Sequence, residues 1–199
     1  MCWPTTSDLV AVQVDTDVLV SAADTDEPCH AACAGLLREH QSELVVPAPV
    51  VPETAWLVES RLGPAAEVRF LRLVTAGARH VVDLSVADYE CCIDLIERYA
   101  DLGLGLVDAS IVAIAELRGI TILATLNNRD FRVVRPRHSD AFTLIPEPRR
   151  GLEGRSSASA ASARHTNEAE HDRMPAPLSV SGGRGRSVGA VFELVESNH

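Results

Sequence analysis

The sequence predicts a three-layer α/β domain with a central parallel sheet, followed by a C-terminal tail of low complexity. From residue 9 to about residue 145, short apolar segments alternate with helical segments, a pattern that favours parallel β-α-β units. Apolar residues make up 46% of the 199 residues and aromatic residues only 4%, as expected for buried strands rich in Val, Leu and Ile. Beyond residue 148 the alternation stops.

The first half of the domain contains two predicted strands and four predicted helices. The apolar run at residues 9–14 ends at Asp15 and is typical of a buried strand. Pro52 suits the first turn of a helix, and Gly63-Pro64 ends that helix. The predicted elements are strands at 9–14 and 44–46 and helices at 17–23, 28–40, 52–62 and 65–75.

The second half continues the alternation. Ser85 and Asp88 have the spacing of a capping box at a helix start. Gly119 has the position of a helix C-terminal glycine, directly before another apolar run. The predicted elements are strands at 80–84, 121–124 and 142–145 and helices at 85–99 and 108–118.

We predict a domain at residues 1–148 and a mostly disordered tail at residues 149–199. The tail is rich in Ser, Ala, Gly and Arg, and such a composition cannot bury enough surface to offset its ordering entropy. Its apolar island at residues 188–195 could dock as a strand or helix. No apolar run has the roughly 18 residues of a membrane span, and the N-terminus lacks a signal-type pattern. We therefore expect a cytoplasmic protein without a membrane partner.

The charged residues exclude several kinds of function. All 18 basic residues are arginine, so mechanisms that need a lysine, such as Schiff-base catalysis or a Walker A loop, are excluded. Residues 1–147 contain 11 of the arginines but 22 of the 28 acids. A domain this acidic does not attract nucleic acid through its overall field. Any nucleic-acid function must depend on a local basic patch and on metal ions.

The five cysteines do not form a disulfide or zinc pattern. Their number is odd and their spacing uneven, so we expect them to be reduced. Cys29, His30 and Cys33 lack a second Cys/His pair at zinc-finger spacing. We interpret Cys33 as a small residue of the helical core.

Four acids fall outside the carboxyl ends of predicted strands, in the loops and helix starts where parallel sheets bind ligands. Asp15 ends the first strand, Glu53 and Asp108 begin helices, and Asp130 lies in the predicted loop at residues 125–131. Glu53 or Asp108 alone could simply complement a helix dipole. Asp15, however, directly follows an apolar run and needs a cation, a proton or hydrogen-bond donors.

A group of carboxylates of this kind suits Mg²⁺ or Mn²⁺, which prefer hard oxygen ligands. Such an ion lowers the pKa of a bound water and stabilises the charge that develops on a phosphodiester. This chemistry requires no lysine.

Four segments resemble, in order and spacing, the acidic motifs of the PIN-domain family. Within that family the chain is most similar to the VapC toxins of bacterial toxin–antitoxin modules, particularly through residues 131–138. The resemblance covers residues 9 to about 147. The four segments are Val14-Asp15-Thr16-Asp17-Val18-Leu19, Pro52-Glu53-Thr54-Ala55-Trp56-Leu57, Leu106-Val107-Asp108-Ala109-Ser110-Ile111-Val112-Ala113 and Leu123-Ala124-Thr125-Leu126-Asn127-Asn128-Arg129-Asp130-Phe131.

The resemblance implies a PIN-like α/β/α fold and a metal-dependent endoribonuclease that a VapB-type antitoxin inhibits and that is often a homodimer. It also implies that Asp15, Glu53 and Asp108 match the acids that hold magnesium or manganese. The fourth acid is either Asp130, before the Phe, or is replaced by Asn127, where many members have Asp. We favour Asp130, because three carboxylates leave little to hold a second ion.

Three further features in or next to the motifs are candidates for supporting roles. Thr125 matches the hydroxyl that the family places near the site. Asp17 departs from the Ser, Asn or Gly common at its position, and is either an outer acceptor or only a helix start. A basic run follows the fourth motif, and it either contacts the RNA backbone or forms internal ion pairs. The run comprises Arg129, Arg132, Arg135 and Arg137, and the first two are our candidates for RNA binding.

Two alternatives to a ribonuclease toxin remain open. Asp15-Thr16-Asp17-Val18 also resembles the first motif of haloacid-dehalogenase-type phosphatases, but that chemistry normally needs a lysine and a later acidic pair. The second alternative is a PIN protein that binds RNA or an antitoxin and cleaves poorly. Asn127 and the acidic surface motivate this alternative.

Overall fold

Five parallel strands form the centre of the computed structural model, which describes residues 11–77 and 80–147. Their spatial order is β3-β2-β1-β4-β5, and every neighbouring pair is parallel. The predicted parallel sheet is therefore confirmed, with the first strand at its centre. The strands are β1 Val12–Val14, β2 Leu44–Pro47, β3 His80–Val82, β4 Ile122–Ala124 and β5 Thr143–Ile145.

Seven α-helices within the described residues surround this sheet. Helices α5 and α6 pack on each other, and α6 also contacts β1 and β2. Helix α1 packs on α2 and α3, and α3 packs on α4 and β2. These two helix groups give the predicted three-layer α/β/α arrangement. The helices are α1 Thr16–Ala23, α2 His30–Glu39, α3 Val50–Leu62, α4 Pro64–Thr75, α5 Val86–Arg98, α6 Leu106–Arg118 and α7 Asn128–Phe131.

The local signals for helix ends act as predicted. Ser85 accepts a hydrogen bond from Asp88 N, and Asp88 Oδ2 accepts one from Ser85 N at 2.8 Å, which satisfies two of the free N–H groups of the first turn of α5. Gly119 ends α6 at a φ of 67°, a conformation that favours glycine.

The prediction is wrong about the segment after β4. We expected residues 125–131 to be a loop, but Asn128–Phe131 form the short helix α7, because Asn127 caps its first turn. A 3-10 turn at Ala100–Leu102 was also not predicted. The other helix and strand ends differ from prediction by a few residues, as is common at element ends.

Some predictions concern residues outside those that the structure describes. They include the start of the first strand at residues 9–10, the tail at residues 149–199 and its apolar island at 188–195. None of the helices within residues 11–77 and 80–147 is long and apolar enough to cross a lipid bilayer.

Candidate active site

The candidate site lies where the central strands β1 and β4 end. Val14 pairs with Ala124 at the ends of these strands, and Asp15 N donates to Ala124 O at 2.9 Å. The next residues of the two strands, Asp15 and Thr125, are therefore neighbours. The carboxyl end of a parallel sheet is the usual place for a ligand site.

Asp15 is held by two short hydrogen bonds. Its Oδ1 accepts from Thr16 N at 2.7 Å, where it caps α1, and its Oδ2 accepts from Thr125 Oγ1 at 2.7 Å. Only 5% of Asp15 is exposed. The predicted desolvated carboxylate is thus stabilised by an amide and a hydroxyl group, both uncharged donors.

Thr125 connects Asp15 with the segment that follows β4. It is fully buried, and its Oγ1 accepts from Asn127 N at 3.0 Å. Asp17 Oδ2 lies 3.5 Å from the same Oγ1. A hydroxyl has one proton to donate. Thr125 donates it to Asp15 at 2.7 Å, because this contact is shorter than the one with Asp17. Thr125 therefore orients Asp15, as a supporting residue should.

Asp17 also belongs to this group of contacts, although it is 109 residues from its main partner. It lies in the first turn of α1 and is half-buried. Its Oδ2 accepts from Leu126 N at 2.9 Å. Its Oδ1 is buried and has no hydrogen-bond partner among the described residues. Asp17 is therefore more than a residue that favours a helix start.

Glu53 is brought to the site by Thr16. It lies in the first turn of α3, and its Oε2 accepts from Thr16 Oγ1 at 2.6 Å. Because Thr16 directly follows Asp15, this bond places Glu53 next to the end of β1. The sequence motifs assign no role to Thr16, although its position between Asp15 and Asp17 is a signal for one.

Asp108 approaches the same place from α6. It lies in the first turn of this helix, and its Oδ2 accepts from Gly105 N at 3.3 Å. This contact is the capping role that we considered for Asp108 alone. Asp108 also acts electrostatically on both Asp15 and Asp17, so capping is only part of its environment.

Two carboxylates of the site, those of Asp15 and Asp17, have raised pKa values. Burial raises the pKa of Asp15 well above its usual value, and the charges of Asp17 and Asp108 raise it further. Hydrogen bonds from Thr125 and Thr16 oppose this effect. Burial likewise raises the pKa of Asp17 to about 6, although backbone N–H groups lower it and Asp108 adds only a small increase. The ionised forms of these two acids are thus disfavoured in a poorly solvated environment.

The carboxylates are close but do not converge on one point. In the part of the chain that the structure describes, no three His, Cys, Asp or Glu side chains form a group ready to hold a metal ion. The site nevertheless has the chemistry that suits a hard divalent cation. Its possible ligands are carboxylate oxygens, and Asp17 Oδ1 is buried without a hydrogen-bond partner among the described residues.

Asp130 has a local role in α7. Its Oδ2 accepts from Asn127 Nδ2 at 2.9 Å, and its N donates to Asn127 Oδ1 at 3.4 Å. Its Oδ1 lies 3.5 Å from Arg129 Nε. The two candidates for the fourth position therefore bind each other as the reciprocal cap of a short helix.

The basic run divides into two halves. Arg135 Nη1 donates to the carbonyls of residues 132, 133 and 134. Arg137 binds Glu116 through its backbone N and pairs with Asp94 at 3.4 Å. Arg137 therefore forms internal ion pairs, whereas Arg135 is held by backbone carbonyls. Arg132 is exposed, and the Arg129 side chain is 74% exposed.

Comparison with known proteins bears on the family and the fold of the chain. The family model of the PIN domain matches residues 12–135, which is more than half of the chain and a range that contains the four predicted acids. Ribonuclease VapC26 of Mycobacterium tuberculosis is 33% identical over 133 residues, which are 67% of this chain and 98% of that protein. The crystal structure of VapC20 of the same species, a toxin that cleaves the sarcin-ricin loop, has a TM-score of 0.57 at 18% identity, over 60% of this chain and 92% of that one. At this identity, the structural likeness shows the fold alone.

Proposed function

We propose, since the chain belongs to the PIN-domain family, that it is a metal-dependent endoribonuclease and the toxin of a VapBC-type pair. The relative that is 33% identical is described as a ribonuclease, which supports the activity. The observation that carries the proposal is Asp15, a nearly buried carboxylate at the end of the central strand, with other acids beside it and neutral donors as its hydrogen-bond partners.

We assign the ion, Mg²⁺ or Mn²⁺, to Asp15 and Asp108, with Glu53 as the third catalytic carboxylate. When bound, such an ion stabilises negative charge on the phosphate and lowers the pKa of a water molecule. Thr125 and Thr16 orient Asp15 and Glu53 through their hydroxyl groups.

The remaining site residues are proposed with distinct roles. Asp130 is the fourth acid that the sequence favours. Asn127 has a supporting role, because it donates a hydrogen bond to the Asp130 carboxylate in α7. Arg129 and Arg132 are the candidates for contact with the RNA backbone, because both are exposed next to this helix. We also propose a VapB-type antitoxin and a second copy of the chain as protein partners, following the family relationship.

The purified full chain, incubated with total RNA, tests this function. We expect cleavage in Mn²⁺ or Mg²⁺ and none in EDTA, because the carboxylates need the ion to act on phosphate. Specific RNA binding without any cleaved product would instead support the poorly cleaving PIN protein. Covalent capture by beryllium fluoride at Asp15 would support the phosphatase.

A further inference from the structure

We propose that Asp17 supplies the fourth carboxylate of the site, in the place that the sequence favours for Asp130. This inference rests on the proposed function. In this assignment, Asp17 of the first acidic motif replaces the carboxylate that the chain lacks at Asn127. The site then keeps four carboxylates.

The first argument is the shared contact with Thr125. Asp15 Oδ2 and Asp17 Oδ2 lie 2.7 Å and 3.5 Å from the same hydroxyl oxygen. The two carboxylates are therefore neighbours around one atom, although only one of them receives its proton.

The second argument is the free oxygen of Asp17. Asp17 Oδ2 accepts from Leu126 N at 2.9 Å, so the side chain is already fixed in place. Its Oδ1 is buried without a hydrogen-bond partner among the described residues. A buried carboxylate oxygen without a donor is costly, backbone N–H groups offset the burial of Asp17 only in part, and a cation would offset the rest.

The third argument is the different environment of Asp130. Its Oδ2 is bound by Asn127, and its Oδ1, which also lacks a hydrogen bond, lies 3.5 Å from Arg129 Nε. Asp130 therefore has a positive neighbour and a structural partner. The carboxylates that act most strongly on Asp15 are those of Asp17 and Asp108.

Direct measurement of Mn²⁺ binding to the full chain tests the assignment without relying on activity. Isothermal titration calorimetry compares Asp17→Asn with Asp130→Asn. Asp101 is exposed, so Asp101→Asn is a matched control for the loss of one negative charge. The amide oxygen of Asn keeps an acceptor for Leu126 N. Circular dichroism reports whether each variant folds.

We expect Asp17→Asn to weaken Mn²⁺ affinity by about tenfold or more, Asp101→Asn to retain wild-type affinity, and Asp17→Asn to lose more affinity than Asp130→Asn. Wild-type Mn²⁺ affinity in folded Asp17→Asn, or a larger loss of affinity in Asp130→Asn, would overturn the assignment of Asp17 but not the proposed function. A wild-type chain that binds no Mn²⁺ would overturn the proposed function as well. If Asp17→Asn does not fold, Asp17→Ser is measured under the same criteria.

Discussion

Acidic side chains have different partners in two regions of this molecule. At the ends of β1 and β4, Asp15 and Asp17 are surrounded by hydroxyl groups, backbone amides and further acids. On the outer helices α5 and α6, Asp94 and Glu116 meet Arg137. Both regions join segments that are distant in the sequence, but only the second uses opposite charges to do so.

The difference separates acids that stabilise the fold from acids that are available for chemistry. An exposed ion pair such as Arg137 with Asp94 contributes at most about 1 kcal/mol, and it leaves its carboxylate neutralised. Asp15 and Asp17 pay a desolvation cost that neutral donors offset only in part. A fold retains such acids when a ligand supplies the missing positive charge.

The largest effect should come from removing a proposed metal ligand. Asp108→Asn keeps the shape of the side chain and its contact with Gly105 N, but it deletes a negative charge. We expect RNA cleavage in Mn²⁺ to fall by more than about 100-fold with the melting temperature nearly unchanged. Gel assays with total RNA measure this loss. Full cleavage by folded Asp108→Asn would remove the contrast between the two regions.

The burial of Asp17 should also appear as a pH dependence of stability in EDTA. Asp17 has a folded-state pKa of about 6, above its unfolded value, so the folded protein binds this proton more tightly. Stability is then highest below about pH 4 for this group and falls as pH rises to about 6, by roughly 3 kcal/mol.

Urea unfolding across this pH interval measures the slope, and Asp17→Asn provides the comparison. We expect the slope to be smaller in Asp17→Asn, because the amide does not titrate. An identical slope in both proteins would contradict the assigned environment of Asp17.

A smaller effect is expected from the hydroxyl that orients Glu53. Thr16→Val removes the 2.6 Å bond to Glu53 Oε2 without changing side-chain size. We expect kcat to fall by about tenfold with little change in KM, because the acid is misplaced while RNA binding is retained. Thr16→Ser keeps the hydroxyl and should recover most of kcat. Equal loss in both variants would argue for a packing role instead.

The smallest effects should distinguish the two halves of the basic run. Arg132→Ala should weaken RNA binding and lower its salt dependence, since one phosphate contact is lost. Arg137→Ala should leave RNA binding unchanged and cost at most about 1 kcal/mol of stability. Filter binding at several salt concentrations and urea unfolding measure these two quantities. If both variants bind RNA equally, the division of the run is wrong.

The sequence predicts the fold well because its signals are local. An apolar run that ends in Asp15, and a Ser85 followed by Asp88, need no knowledge of distant residues. Helix α7 was not predicted because four residues are too few to show a helical period. Its signal was the Asn127 and Asp130 spacing of a cap, which we interpreted as two rivals for one position.

The site was predicted only as a set of acids at one edge of the sheet. The strand order brings Asp15 next to Thr125, and α1 brings Asp17 to Leu126, across 109 residues. Contacts at such separation depend on the packing of whole elements, which one sequence does not specify. The predicted tail at residues 149–199 stays a prediction, and limited proteolysis of the full chain is its measurement.

The bond between Thr16 N and Asp15 Oδ1 makes one backbone amide a natural spectroscopic probe. The amide proton points at the carboxylate from 2.7 Å between heavy atoms, so its NMR chemical shift depends on the charge of Asp15. Protonation of the acid and capture by a cation both withdraw electron density from that oxygen. Titration of a ¹⁵N-labelled sample would therefore follow the occupancy of the site at Thr16, in the absence of RNA and without any substitution.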